Sequence, residues 1–179
     1  LGIPDIQLHF VVGMVEDHGR EEIWGNGFSC HMCLLRPESR GTVSISSKNP
    51  MEDPVIDPNY LSNKNDLKTM IEGYKKMMQI MNTAPLDQFN NVRNPVNLKD
   101  DKSIESAIRA RADTIYHPVG TCKMGNDEMS VVDSNLVVRG TKNLRVVDAS
   151  IMPTLVGGNT NAPTIMIAEK IADNIKGTS

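Results

Sequence analysis

The segment Tyr116-His117-Pro118-Val119-Gly120-Thr121-Cys122-Lys123-Met124-Gly125 is followed by Leu144-Arg145-Val146-Val147-Asp148-Ala149-Ser150 and then by Gly157-Gly158-Asn159-Thr160-Asn161-Ala162-Pro163. This succession places one proton-transfer side chain, a strand-like apolar run, an amide partner and an anion-welcoming helix start within a short length of chain. His117 is the natural candidate for a base, because imidazole is the side chain whose ordinary pKa lies nearest working pH. A lone histidine is more often simply packed or solvated, so its setting carries the argument. His117 sits in a loop after a helical pattern, and Asn159, 42 positions on, sits in a loop before another.

Working outward, Asp66 to Asn82 carries Leu67, Met70, Ile71, Tyr74, Met77, Met78 and Met81 at helical spacing, which predicts one amphipathic α-helix. Asn63 or Asn65 can cap it, and Pro85 lies just past its end. The Met-rich stripe fits packing against a sheet better than an apolar substrate passage, since methionine is a common gap-filler. A shorter helix begins after Ser103 and turns Ile104, Ala107 and Ile108 inward. The closing helix follows Pro163, with Ile165, Ala168, Ile171, Ala172 and Ile175 as its apolar face and Gly177 at its end.

Before these helices come three strand candidates, Ile6–Gly13, Gly27–Leu35 and Thr42–Ser46, the last with alternation suited to one buried and one wet face. Arg36-Pro37-Glu38-Ser39-Arg40-Gly41 reads as a connection, and Asn49 to Pro54 with Asp57-Pro58-Asn59 as a loop running to the long helix. Strands preceding helices, with short spacings that favour antiparallel pairing, predict an α+β fold: an antiparallel sheet with helices on one face. We expect residues 1–115 and 116–179, the latter with the His117/Asn159 segment, to make one compact unit.

Composition narrows the partners. An apolar share of 39% and a charged share of 23% are ordinary for a globular protein, and no apolar run is long enough to span a membrane. Nineteen basic and 22 acidic residues are interspersed and leave a net charge of −3, so there is no footprint for nucleic acid. Three cysteines argue against a disulfide framework and for a reducing, cytoplasmic setting, with any membrane association supplied from elsewhere in a longer protein. Cys30-His31-Met32-Cys33 invites a metal or redox reading, but in a strand positions 30 and 33 face opposite sides and there is no second cysteine pair. No metal site is therefore expected, and Cys122 reads as a packed residue.

The His-Pro loop, the Ser150-Ile151-Met152-Pro153 segment and the Asn-rich helix start together resemble the C-terminal signature of the glucose–methanol–choline family of FAD-dependent alcohol oxidoreductases. The likeness is greatest to bacterial choline dehydrogenase-like and medium-chain alcohol dehydrogenases. Pro4 to Phe10, Arg36 to Val43 and Val55 to Leu61 read like the family's substrate-binding region, so the resemblance implies a substrate-binding domain over 1–115 and, over 116–179, the catalytic His/Asn segment with the C-terminal part that completes the FAD domain in the full-length protein. The resemblance implies that His117 takes the proton of the substrate alcohol and that Asn159, where relatives carry Asn or His, orients the hydroxyl and then holds the alkoxide. Hydride would pass to N5 of FAD and leave an aldehyde. It further implies cofactor contacts from Tyr116, from Asp148 and Ala149 near the ribityl–phosphate region, and from the backbone of Thr160, Asn161 and Ala162 at the pyrimidine edge. Read without the family, Asp148 is a strand-end turn residue and Asn159 and Asn161 are helix caps.

The Gly-x-Gly-x-x-Gly pattern that dinucleotide binding needs after a strand does not occur in this sequence. The first residue is Leu1, within an apparent strand, so we expect a fragment that lacks the N-terminal FAD-binding portion and by itself holds FAD weakly or not at all. Such a fragment would be inactive alone, and any export signal would lie upstream. The expected partners are a small alcohol, a quinone or oxygen as electron acceptor, and that missing portion. The competing reading is a non-enzymatic module that keeps the fold and binds a small molecule or a partner subunit.

Overall fold

The computed structural model describes residues 2–21, 23–89, 92 and 95–177. It divides into two compact units, Leu1–Arg40 with Asn59–Asp113, and Gly41–Pro58 with Thr114–Ser179.

In the first unit, β1 (Ile6–Val11) pairs antiparallel with β2 (Ser29–Leu34), Ile6 opposite Leu34 and Val11 opposite Ser29. Helix α1 (Lys64–Met81) packs on this hairpin and on α3 (Asp101–Arg111). The approach is close: a Cβ at Gly73 would lie 3.0 Å from Ile6 Cγ1. Met77 and Met81 are buried, as are Ile104 and Ile108 of α3, so the Met stripe is core. Asn63 caps α1 by accepting from the Asn65 N–H, and Asp100 caps α3 by accepting from Lys102 N–H. A short helix, α2 (Ala84–Asp87), follows α1 with Pro85 in its first turn. Cys33 Sγ lies 3.5 Å from His9 Nε2 on one face of the hairpin, and burial pushes the Cys30 and Cys33 thiols up from their ordinary pKa.

One buried carboxylate ties α1 to the chain before it. Asp66, 3% exposed, accepts from the N–H groups of Glu38 (2.9 Å) and Ser39 (2.8 Å) and from the Ser39 hydroxyl. Ser39 Oγ in turn accepts from Asn63 N–H, at the cap of the same helix. The Arg36–Gly41 connection is thus fixed by the helix that follows it.

The second unit opens with β3 (Thr42–Ser44), which pairs antiparallel with β4 (Val55–Asp57), Val43 opposite Ile56. β4 lies in what the sequence presents as loop, since three residues between Pro54 and Pro58 leave no room for a periodic signal. Gly41 is required where β3 begins, because a Cβ there would stand 2.2 Å from the Asp57 carbonyl oxygen. The alternation of Thr42 to Ser46 does not divide a wet from a buried face: Val43, Ile45, Val55 and Ile56 are all exposed. The antiparallel α+β expectation holds in the form of two separate two-stranded sheets rather than one.

The core of this unit is Val132, Leu136, Ile151 and Ile171, with Met124, Val131, Val138, Val146, Val147 and Ile167 packed on it. Most of it comes from irregular chain joined by single bridges, Met124 to Val132, Val132 to Val138 and Val137 to Arg145. The strand read over 144–147 is one of these bridged loops: Val146 N–H reaches the Leu136 carbonyl and no ladder continues. Helix α4 (Asn161–Lys176) ends at Gly177, whose φ of 70° makes the left-handed C-cap. Its buried side is Thr164, Ile167 and Ile171, whereas Ile165 and Ile175 of the expected apolar face are exposed. A helix with apolar residues nearly all round has no unique stripe to read. No described helix is long and apolar enough to cross a membrane.

Two expectations follow. Asp66→Ala strands two backbone donors, so it should lower unfolding stability by about 2–4 kcal/mol, and Asp66→Asn, which keeps one acceptor, by less; denaturant titration checks both. Asp127 is held at a pKa of about 2 by hydrogen bonds from the Lys123 ammonium, then from the Ser130 hydroxyl and the Met129 N–H. A folded pKa below the unfolded value adds stability that is present above the unfolded pKa and lost as pH falls through the folded one. Carboxyl NMR should therefore show Asp127 titrating with a midpoint near 2 in the folded chain and nearer 3.8 when it is unfolded.

Candidate active site

The second unit holds the loop after α3 and the loop before α4 in register by main-chain bonds. Cys122 N–H donates to the Ser150 carbonyl at 3.0 Å and Met124 N–H to that of Ile151 at 2.7 Å. Residues Ala149–Ile151 form a 3-10 turn capped by Asp148, whose Oδ1 accepts from the Ser150 N–H and hydroxyl. Gly120, at φ 88°, also lies against the second stretch, a Cβ there falling 3.3 Å from the Met152 carbonyl oxygen. The chain entering at 116–120 and the chain leaving at 152–160 are thereby brought together.

His117 occupies the crossing. Its Nε2 lies 3.0 Å from Asn159 Nδ2 and its Nδ1 lies 3.1 Å from Thr160 Oγ1. The ring is half-buried, Asn159 is exposed and Thr160 is buried, so the site has a wet amide side and a dry hydroxyl side. Tyr116, just before the histidine, has a φ of 62°, a left-handed conformation that costs a non-glycine residue energy. Its N–H is met by Thr114 Oγ1 at 3.0 Å. Strain at this residue sets the direction in which His117 leaves the backbone.

The start of α4 has its own electrostatics. Thr160 is the N-cap but its side chain makes no capping bond, and the first turn contains no acidic residue. Neither a Thr160 side-chain cap nor a first-turn carboxylate therefore offsets the positive end of the helix dipole. Asn161 and Ala162 stand exposed in that turn, followed by Pro163, which has no N–H to offer. Such a helix start favours a negatively charged group.

Of the residues singled out in the sequence, His117, Asn159 and Thr160 converge; Tyr116 adjoins them; Asn161 and Ala162 lie at the helix start, and Asp148 and Ala149 at the 3-10 turn. The Thr160 hydroxyl is the contact that sequence reasoning missed. A threonine before a helix reads as a cap, and nothing in the sequence signals that its side chain turns to an imidazole 43 residues back. Among the described residues no cluster of His, Cys, Asp or Glu could hold a metal ion.

A family model for GMC oxidoreductases matches residues 37–168. The chain is 53% identical over 96% of its length to an alcohol dehydrogenase (acceptor) of Pseudomonas putida, covering 32% of that protein. It is 44% identical over 97% of its length to the mitochondrial choline dehydrogenase of Mus musculus, covering 30% of it. Among solved structures, pyridoxine 4-oxidase from Mesorbium loti matches 97% of the chain with a TM-score of 0.87 at 31% identity, over 34% of that protein. Formate oxidase from Aspergillus oryzae RIB40, in a study of FAD modification, matches 99% with a TM-score of 0.91 at 29% identity, over 32% of that protein. This chain belongs to the GMC oxidoreductases, in their C-terminal part. It spans about a third of the length of the curated relatives it matches.

If strain at Tyr116 aims the histidine, a residue that tolerates a left-handed backbone should be accepted there and a β-branched one should not. Tyr116→Val should be less stable than Tyr116→Asn by about 1 kcal/mol in thermal or denaturant unfolding, both having lost the same ring.

Proposed function

We propose that this chain is the substrate-binding and catalytic C-terminal part of an FAD-dependent oxidoreductase that converts a primary alcohol, or choline, to the aldehyde. The observation that carries the reading is the 3.0 Å approach of Asn159 Nδ2 to His117 Nε2, two polar atoms on which a single hydroxyl can rest. His117 Nε2 takes the hydroxyl proton. Asn159 donates to the same oxygen and steadies the charge that builds there, as an oxyanion donor does. Removing that proton turns the carbinol carbon into a hydride donor. FAD, when bound, supplies the acceptor for that hydride, and a quinone or oxygen takes the electrons onward.

The residues present fit such a cofactor. The uncapped, acid-free start of α4 would hold the electron-rich edge of the flavin through the backbone of Thr160, Asn161 and Ala162. Tyr116, Asp148 and Ala149 would line its approach, Asp148 with its carboxylate already oriented by Ser150. The nucleotide half of the cofactor requires a Gly-rich strand-to-helix turn, which this sequence lacks and a partnering N-terminal portion would provide. An aromatic content of only 4% leaves few rings for a cation–π box, which favours an uncharged primary alcohol over a trimethylammonium one.

In the flavin-loaded protein, His117→Ala should slow alcohol-driven flavin reduction by roughly 10²–10⁴-fold. Asn159→Ala should cost on the order of 10²-fold or more, the effect of one lost oxyanion donor. Flavin content should survive both changes. Near-normal reduction after His117 is removed would end this reading.

A further inference from the structure

We infer that Thr160 is a positioning residue that selects the reactive tautomer of His117. The inference rests on His117 being the base proposed above. The logic begins with the amide: Asn159 Nδ2 can only donate, so the His117 Nε2 that lies 3.0 Å from it presents a lone pair. A neutral imidazole with a bare Nε2 carries its hydrogen on Nδ1. That nitrogen faces the Thr160 hydroxyl oxygen at 3.1 Å, which accepts the bond.

Thr160 is built to hold this position. It is 8% exposed, so water does not readily replace it as the acceptor. Its side chain is released from capping α4, the ordinary duty of a threonine at this place. Its backbone is fixed from the next turn, where Thr164 donates to the Thr160 carbonyl through both its N–H (3.0 Å) and its hydroxyl (2.6 Å). The oxygen therefore stays in place on the buried side of the ring, opposite Asn159 on the exposed side. When Nε2 takes a proton, the ring holds a hydrogen on each nitrogen and one positive charge. The Nδ1–H bond to Thr160 persists and gains charge assistance. Without this acceptor the hydrogen is free to move to Nε2, the form that cannot take a proton at that atom.

The test combines a direct reading of the ring with kinetics in the flavin-loaded protein. With ring-¹⁵N histidine labelling, neutral His117 in the unsubstituted protein should show the Nδ1–H tautomer, and Thr160→Val should shift it toward Nε2–H. The same variant should lower kcat/KM for the alcohol by about 5–10-fold, the worth of one ordinary hydrogen bond, mainly through kcat. Thr160→Ser, which restores the hydroxyl, should recover both. An Nε2–H ring in the unsubstituted protein overturns the inference even if Thr160→Val fails to fold. So does an unchanged tautomer in a folded Thr160→Val, or a Thr160→Ser that behaves like Val. The tautomer is read without turnover, so its failure is distinct from that of the base assignment, which His117→Ala decides.

Discussion

Both ring nitrogens of His117 find partners more than forty residues away, and keeping them there is the demand around which the second unit is organised. An imidazole on a loop has two free torsions. To hold it, the loop before and the loop after must be fixed to each other within tenths of an ångström. The chain does this with backbone rather than with a sheet: 122 and 124 bond to 150 and 151, a glycine at 120 lets the strands of chain pass, and a 3-10 turn capped by Asp148 fixes the far side. The hydrophobic core lies beneath these bonds, with Val132 fully buried and Ile151 itself a member. Packing and hydrogen bonding thus support the same few residues.

Legibility in the sequence followed the range of the interactions concerned. Helix α1 is plain because seven apolar residues repeat on one face, and Asn63, one of two asparagines placed to cap it, does so. β1 and β2 were plain because their alternation is local and their pairing needs only a turn of the chain. β4 was hidden by the prolines at its ends, and Leu144–Val147 looked like a strand because valines suit one; whether a ladder forms depends on a neighbour that sequence does not supply. The buried side of α4 was misread for a related reason. Its residues are apolar on several sides, and only the core it meets picks Ile167 and Ile171 over Ile165 and Ile175.

The site divides along the same line. That His117 and Asn159 belong together came from a family likeness in spacing, and physical periodicity alone would not have joined them. Thr160 was visible as a residue but not as a partner, since a hydroxyl one position beyond the asparagine has an obvious local use as a cap. The structure withdraws it from that use. The same withdrawal leaves the first turn of α4 without a side-chain cap from Thr160, so one rotamer both gives up the cap and meets the imidazole.

The reliance on bonds between distant loops also has a kinetic consequence. Helices α1, α3 and α4 are closed by contacts within a few residues and can form on the timescale of local chain motion. The 122–150, 124–151 and 117–159 contacts each require a long loop to close first, and the entropy of that closure is spent before any of them rewards it. The approach of His117 to Asn159 therefore depends on closure of these loops and not on any one helix.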